Sequence, residues 1–276
     1  MIKLFAPLFG LVATLLFSTS AMADMTTTHA AHWGSFPTPV GSGAEMINWT
    51  YNVIFYICCA VAVLVIAWLG LAIIKFRKGA RKGKDPAKWS HSTILEIVWT
   101  IIPAIIVIYI AAISYHGISY LRTMPEGGLT VDVIAYQFGW DFDYPDYAIS
   151  SPDPLETHKQ LSSGGTDRYV KDLVVPVGEV VKLNITARDV IHAFYAPQLG
   201  LKVDAIPGRI NYLWFKADKA GNYIGQCAEL CGSAHGEMFF NVKAVDRAEF
   251  DAWLNKQRDS NGLEPLTAEQ ITEQLV

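Results

Sequence analysis

Four potential ligands for a soft metal ion lie within twelve residues near the C-terminal end of the sequence. They are Cys227, Cys231, His235 and Met238, with the spacing C-x3-C-x3-H-x2-M. Thiolate and imidazole together select copper or zinc over hard cations, and a thioether favours copper because zinc rarely accepts one. Upstream, His192 ends the segment Asp-Val-Ile-His and could supply a second imidazole from a loop that follows a strand. The sequence therefore predicts a metal site, with copper as the preferred ion.

Three simpler sites would use only some of these residues. Cys227 and Cys231 could form a disulfide in an oxidising compartment, which would leave both histidines and Met238 without a role. A structural zinc site of two cysteines and two histidines would leave Met238 unexplained. A mononuclear blue-copper site needs one cysteine, not two. Two cysteines four residues apart fit two metal ions that both sulfurs bridge.

The metal ligands need a scaffold, and the sequence from residue 129 onward is typical of a β domain. Apolar and polar residues alternate at 131–135 and 181–185, and turn residues separate the apolar runs. The predicted strands are residues 129–142, 172–177, 179–186, 210–216, 221–226 and 238–245. We expect an antiparallel sandwich or barrel, with a long surface loop at 148–168 and a helix at 247–258.

The N-terminal half is much more apolar than this domain. The whole chain of 276 residues is 51% hydrophobic, with a mean hydropathy of +0.25. Its apolar residues gather at 47–74 and 94–120, and each stretch is long enough to cross about 30 Å of hydrocarbon as a helix. The segment 75–93 between them holds seven basic residues and one acidic residue, which predicts a cytoplasmic loop by the positive-inside rule.

The first residues are typical of a signal peptide. Lys3 precedes an apolar stretch at 4–17, and Ala-Met-Ala at 21–23 forms a cleavage motif. A first transmembrane helix is the alternative, although fourteen apolar residues are short for a span. The predicted segments are therefore a signal peptide at 1–23, an exported N-terminal segment at 24–46, transmembrane helices at 47–74 and 94–120, a basic loop at 75–93, a β domain at 128–256 and a polar tail at 257–276.

Two features of the predicted membrane helices bear on chemistry. Cys58 and Cys59 lie within the first helix, where a buried thiol behaves as a small hydrophobic group, so we assign them no chemistry. Glu96 lies just inside the second helix, where a carboxylate is costly and is by default a candidate functional residue. A carboxylate that reaches the membrane surface is the alternative for Glu96.

Charge is distributed unevenly between the two halves. Residues 1–121 carry a net charge of +4, whereas residues 122–276 hold 14 basic and 22 acidic residues, a net charge of −8. An acidic exported domain argues against nucleic acid as a partner and favours a cationic one.

Several segments together resemble subunit II of haem-copper cytochrome c oxidase. They are the Cys227–Met238 loop, Asp-Val-Ile-His at 189–192, Asp-Ala-Ile-Pro-Gly-Arg at 204–209, Glu-Ile-Val-Trp-Thr at 96–100 and the predicted hairpin of helices. The resemblance covers about residues 49–253. It implies a membrane-anchored, all-β protein in which a two-helix transmembrane hairpin precedes a cupredoxin-like Greek-key β-sandwich or barrel with a binuclear copper centre, CuA.

The resemblance also implies a complete ligand set for two copper ions. The ligands are Cys227, Cys231, His192, Met238, His235 and the backbone carbonyl of Glu229. Both cysteine sulfurs would bridge the ions, one of which would add His192 and Met238 and the other His235 and the Glu229 carbonyl. The side chain of Glu229 would reach a Mg or Mn ion shared with subunit I. No Cys-x-x-Cys-His motif occurs in the sequence, so we expect no haem on this chain.

Electron entry is where the sequence departs from the family pattern. The family commonly has Gln-Trp-x-Trp, with the first Trp nearest the donor, whereas this chain has Gln-Phe-Gly-Trp at 137–140. The resemblance therefore places Phe138 at the entry position, with Trp140 as the alternative. Asp141, Asp143 and Asp146 would form an acidic docking patch, unless they are only scattered surface carboxylates.

The implied function is electron entry into a proton-pumping terminal oxidase of the bacterial inner membrane, with the C-terminal domain in the periplasm. Cytochrome c or another c-type donor would deliver electrons, and the haem of subunit I would receive them for reduction of oxygen to water. Glu96 would lie at the mouth of the proton channel called K, and Asp204 and Arg209 at the interface with subunit I. Subunit III and membrane lipid are the other expected partners.

Three other functions use parts of the same pattern. A membrane-anchored copper-binding or copper-delivery module would need a labile or mononuclear site. A quinol oxidase subunit II would share the hairpin and the fold but lack the copper ligands. Nitrous oxide reductase also holds a CuA site, but its large propeller domain does not fit into 276 residues beside this hairpin.

Overall fold

The computed structural model describes residues 37–77, 90–150, 159–161 and 167–274, with only the backbone at 159–161 and 167–169. The predicted signal peptide at 1–23 and most of the basic loop at 75–93 lie outside the described residues. From Pro39 onward the chain forms one unit.

Two long helices, α1 (Ser42–Phe76) and α2 (Thr93–Arg122), pack against each other and precede the strands. Their 35 and 30 residues exceed the length that a 30 Å span needs at a rise of about 1.5 Å per residue. Both are apolar enough to cross a membrane, and both extend a few residues beyond the predicted segments. Their apolar side chains are mostly exposed in the isolated chain, as lipid-facing side chains would be.

The outer ends of these helices are attached to the β domain. The backbone amide of Val40 donates to the Gln198 carbonyl at 2.8 Å, just before α1 begins. Near the end of α2, the Tyr120 ring meets Trp214 edge-on at 5.3 Å, and its hydroxyl lies 2.8 Å from that of Ser42. The domain therefore has defined contacts with the hairpin.

Eleven strands follow in the described part of the chain. They are β1 (Leu129–Tyr136), β2 (Gly139–Asp143), β3 (Lys159–Leu161), β4 (Asp167–Tyr169), β5 (Lys171–Pro176), β6 (Val180–Ala187), β7 (His192–Ala196), β8 (Leu201–Ala205), β9 (Asn211–Lys216), β10 (Gly221–Cys227) and β11 (Phe239–Val245). One sheet has the order β2-β1-β6-β9 and another β5-β11-β10-β7-β8, while β3 and β4 form a separate pair.

Two strand pairs are parallel, so the expectation of a purely antiparallel domain is wrong. Strand β1 runs parallel to β6, and β5 runs parallel to β11. Parallel neighbours need long connections, and here the chain leaves each sheet before it returns to complete the pair. Each parallel pair sets an asparagine opposite an aspartate: Asn184 donates to Asp132 at 2.7 Å, and Asn241 donates to Asp172 at 3.0 Å.

The core contains the side chains that alternate inward from these strands. Burial alternates along β1 and β6 as the sequence predicts, and Val131, Val133, Leu183 and Ile185 are completely buried. Each fully buried aliphatic side chain contributes roughly 1.5–3 kcal/mol by leaving water. This core holds the strand ends that carry the metal ligands.

Three local features differ from the sequence-based expectation. The predicted strand 129–142 is the hairpin β1–β2, and the strands β3, β4, β7 and β8 are absent from the prediction, β3 and β4 because that part of the chain was expected to be a surface loop. Strand β7 is almost entirely buried and therefore lacks the alternation that identifies a half-exposed strand. The predicted polar tail contains the end of helix α3 (Arg247–Ser260) and helix α4 (Ala268–Glu273), in which Ile271 is buried.

Candidate metal centre

Two neighbouring strands bring the metal ligands together. Strand β10 ends at Cys227, and its neighbour β7 begins at His192, so the ligand His192 belongs to a strand rather than to a loop. The loop that follows β10 returns to the sheet as β11, and the Cys227 amide donates to the Met238 carbonyl at 3.0 Å. The ends of two interior strands, β10 and β11, thus support both ends of the ligand loop.

The sulfur of Cys227 has three potential ligands around it. It lies 3.9 Å from Nδ1 of His192, 3.9 Å from the sulfur of Cys231 and 3.3 Å from the backbone carbonyl oxygen of Glu229. The donor atoms of the two cysteines and His192 all lie within 4.8 Å of one another. Both cysteines are free thiols, so the disulfide alternative is not what the structure contains.

The sulfur of Cys231 contacts the remaining two ligands. It lies 3.7 Å from Nδ1 of His235 and 3.8 Å from the thioether sulfur of Met238. Three side chains and one carbonyl therefore surround the two sulfurs, which makes six potential ligands in all. This is more than the four ligands of a tetrahedral zinc site, so the donor set fits two copper ions better than one zinc ion.

The side chains of the site are buried, so its two thiols lose their protons readily only when a cation balances the charge. Cys227 and Cys231 are 5% exposed, Met238 is 2% exposed and His192 is fully buried. Burial, followed by the charge of Cys227, raises the pKa of Cys231 to about 11. Two thiolates at this separation are therefore costly without a metal, and a metal must displace the thiol protons when it binds.

Asp189 holds the His192 ring from the side opposite the sulfur. Its Oδ1 lies 2.9 Å from Nε2 of His192, and its Oδ2 accepts the backbone N–H of Gln137 at 2.7 Å. Partial burial acts to raise the pKa of Asp189, but hydrogen bonds from His192 and from the amides of Gln137 and Val190 lower it overall. Such a carboxylate orients a histidine ligand, and it leaves Nδ1 free for the metal.

The two candidate entry aromatics lie in different places. Trp140 is 1% exposed and lies beneath the site, with its ring centroid 6.3 Å from that of His192 and its Nε1 3.5 Å from the Met238 carbonyl oxygen. Phe138 is half-buried and lies against Gly232, where a Cβ atom would come within 3.0 Å of its ring. Phe138 is therefore the surface aromatic, and Trp140 is part of the floor of the site.

The proposed acidic patch loses one of its members. Asp141 is only 6% exposed, and it pairs with Lys171 at 2.7 Å and Arg188 at 2.9 Å. The prediction that Asp141 belongs to an exposed patch is therefore wrong, because the side chains of Lys171 and Arg188 cover its carboxylate and pair with it. Asp146 is exposed and Asp143 is half-buried.

The remaining predicted site residues lie apart from the sulfurs or at their rim. Glu96 is exposed in the first turn of α2. Asp204 and Arg209 are exposed and line a groove of about 550 Å³, together with Arg122 from the end of α2. The Glu229 side chain is exposed, although its carbonyl faces Cys227.

Two residues that bear on the site were not predicted from the sequence. Gln137 donates from its side-chain amide to the Cys231 carbonyl at 2.6 Å, and Gly232, at φ +136°, admits the close approach of Gln137 and Phe138. Gln137 is separated from Asp189 and Cys231 by 52 and 94 positions, so no local spacing could reveal these contacts.

Comparisons with known proteins agree with this architecture. The transmembrane domain of cytochrome c oxidase subunit II matches residues 30–116, and the periplasmic domain of the same subunit matches residues 129–245. The crystal structure of the periplasmic domain of subunit II (CoxB) of Bradyrhizobium japonicum has 34% sequence identity and a TM-score of 0.44, and it covers 50% of this chain and 99% of that chain.

Curated relatives match over most of their length. Probable cytochrome c oxidase subunit 2 of Rickettsia felis is 36% identical over 239 residues, which cover 85% of this chain and 75% of the relative. Subunit 2 of Cereibacter sphaeroides is 34% identical over 274 residues, or 89% of each chain. Subunit 2 of Saccharomyces cerevisiae is 32% identical and covers 88% of this chain and 98% of the relative. Since both its helical and its β part are matched, the chain belongs to the cytochrome c oxidase subunit II family and is a membrane-anchored subunit of a haem-copper terminal oxidase.

Proposed function

We propose that this chain receives electrons for the oxidase at a binuclear CuA centre and delivers them to the haem of subunit I, where oxygen is reduced to water with proton pumping. The observation that carries the proposal is the convergence of two imidazoles, one thioether and one carbonyl on two sulfurs 3.9 Å apart. A bound copper pair would supply one-electron transfer, and it would be held by Cys227, Cys231, His192, His235, Met238 and the Glu229 carbonyl.

The contacts of the two sulfurs support bridging. In the proposed ligand set, His192 and Met238 belong to one copper, and His235 and the Glu229 carbonyl to the other. The sulfur of Cys227 contacts His192 and Glu229, and the sulfur of Cys231 contacts Met238 and His235. These contacts would allow both sulfurs to bind the same pair of ions.

We place electron entry from a c-type cytochrome at Phe138. Its ring is partly exposed and lies against the ligand loop at Gly232, whereas Trp140 is covered. Asp146 and Asp143 remain as acidic contacts for a cationic donor. The cationic side chains of Lys171 and Arg188 balance Asp141 and reduce the negative charge on this side of the domain.

Electron exit is proposed on the face that carries the groove next to the end of α2. Asp204, Arg209 and Arg122 line this groove beside the exposed aromatic Tyr212, a mixture of charge and apolar surface that suits a protein interface. We assign it to subunit I. The exposed carboxylate of Glu229 would hold the shared Mg or Mn ion at the same interface.

The membrane arrangement follows from the charge pattern. We propose that α1 and α2 span the bacterial inner membrane, with the basic segment 75–93 in the cytoplasm and the β domain in the periplasm. Glu96, in the first turn of α2, then lies on the cytoplasmic side, where it would admit protons. The exposed apolar faces of the helices would contact lipid and the other subunits, including subunit III.

A copper-delivery module is a weaker proposal for this geometry. Delivery requires ligands that a partner can reach, whereas both sulfurs and Met238 are nearly inaccessible. Asp189 also restrains the His192 ring, which favours a permanent site.

Metal analysis with electron paramagnetic resonance tests the proposal directly. The full chain is purified in detergent and reconstituted with copper. Two coppers per chain and a seven-line hyperfine pattern, from one electron hole shared by two nuclei, are the expected result. One copper with a four-line pattern, bound zinc, or a disulfide without metal would contradict it.

A further inference from the structure

Gln137 joins the three chain segments that meet at the metal centre. Its backbone N–H donates to Asp189 at 2.7 Å, and the other oxygen of that carboxylate lies 2.9 Å from Nε2 of His192. Its side-chain amide donates to the Cys231 carbonyl at 2.6 Å. Gln137 therefore hydrogen-bonds both to Asp189, which holds the His192 ring, and to the backbone of Cys231.

Gln137 is held in place by the strands on both sides of it. Gln137 follows the last residue of β1 and lies in the short connection to β2, which the pairing of Tyr136 with Gly139 closes. The Arg188 amide donates to the Ala135 carbonyl at 2.9 Å, which ties this connection to the segment that leads to His192. Because the strands on both sides are buried, Gln137 has little freedom to follow a moving loop.

The contact with Cys231 acts at a point where the ligand loop turns. Gly232 has φ +136°, and a Cβ atom there would lie 3.0 Å from Nε2 of Gln137. The loop thus leaves Cys231 in a conformation that needs glycine and brings its carbonyl to the amide of Gln137. A short hydrogen bond at this carbonyl restrains the peptide that carries the Cys231 sulfur.

We propose that Gln137 is a positioning residue that holds the His192 and Cys231 sides of the centre in register. This inference rests on the proposed function, since it concerns the residues assigned as copper ligands. The backbone amide acts through Asp189, and the side-chain amide acts on the ligand loop. Both bonds would keep the ligand atoms in place and so help the site to retain copper.

The substitution Gln137→Met tests the side-chain bond, because methionine keeps the length of the side chain and removes the donor. We expect copper loss to a chelator to become about tenfold faster in the assembled oxidase, the lower end of the usual range for residues that orient metal ligands. The hyperfine pattern of the copper signal should also change. Unaltered copper retention and an unaltered spectrum would overturn the proposal.

Gln226→Met is the matched control. Gln226 is also an exposed glutamine, and it immediately precedes the ligand Cys227. The Gln226→Met variant should leave copper retention and the copper spectrum unchanged. An equal effect of both substitutions would show that any change near the loop loosens the site, and would overturn the specific role of Gln137.

A double-mutant cycle with Asp189→Asn tests whether the two bonds act as one device. Residues in a single hydrogen-bond network show non-additive effects, so the double variant should lose copper more slowly than the product of the two single effects predicts. Strict additivity would overturn the proposal. Absence of the seven-line signal from the unmodified oxidase would instead refute the proposed function.

Discussion

The two cysteine pairs of this chain lie in opposite surroundings. Cys58 and Cys59 are adjacent on α1, and both are exposed on a helix whose apolar side chains face outward. Cys227 and Cys231 are buried at the end of the interior strand β10 and in the loop after it, with two histidines, a thioether and a carbonyl around them. The same side chain has no assigned chemistry in one region and is a proposed metal ligand in the other. The partners that tertiary structure places beside each thiol make this difference.

The strongest test of this comparison removes one bridging sulfur. Cys231→Ser should abolish the binuclear copper signal completely, because a hydroxyl replaces a thiolate that would bind both ions. Electron paramagnetic resonance and copper analysis of the assembled oxidase measure the effect. A seven-line spectrum in this variant would refute the bridging role.

The ion pairs of Asp141 show how the β domain stabilises a buried charge near the candidate metal centre. Asp141→Asn removes the partner of Lys171 and Arg188, and both of these cations keep partial access to water. We therefore expect a loss of about 1–2 kcal/mol in the free energy of unfolding, below the cost of breaking a fully buried pair.

Thermal unfolding in detergent and the kinetics of cytochrome c oxidation separate the two possible roles of Asp141. Asp146→Asn serves as the comparison, since Asp146 is exposed. A large fall in the donor association rate for Asp141→Asn, with stability unchanged, would restore this residue to the docking patch.

The entry aromatic gives a smaller effect. Phe138→Trp should speed the reaction with a soluble cytochrome c severalfold, because a larger π system at the partly exposed position would couple better to the donor. Copper content should be unchanged. The matched change Trp140→Phe alters the covered floor of the site instead. An unchanged rate in Phe138→Trp would contradict the assignment of electron entry to Phe138.

The smallest effect is expected for the two cysteines of α1. Cys58→Ser and Cys59→Ser, made together, should leave copper content, the copper spectrum and turnover unchanged, since these thiols face outward from α1. Copper loss or a new spectrum in this variant would break the distinction between the two pairs.

The candidate ligands could be proposed from the sequence because most of them are close together in the chain. Four ligand side chains lie within twelve residues, and their chemistry follows from their types. The helices could also be predicted from the sequence, since a long apolar stretch is recognised without knowledge of its tertiary partners. Strand β7 was missed because its buried residues do not alternate, and Asp141 was misjudged because its partners come from β5 and from the end of β6.

Hydropathy and residue type were enough to predict the apolar helices, the alternating strands β1 and β6, and the kinds of atoms that could bind a metal. Three features became visible only in the folded chain: two strand pairs are parallel, Trp140 is covered while Phe138 is not, and Gln137 contacts both Asp189 and Cys231. The reason is the sequence distance over which each kind of interaction acts. Hydropathy and ligand type act through neighbours in the chain, whereas burial, pairing and hydrogen bonding across 52 or 94 positions depend on how the sheets pack.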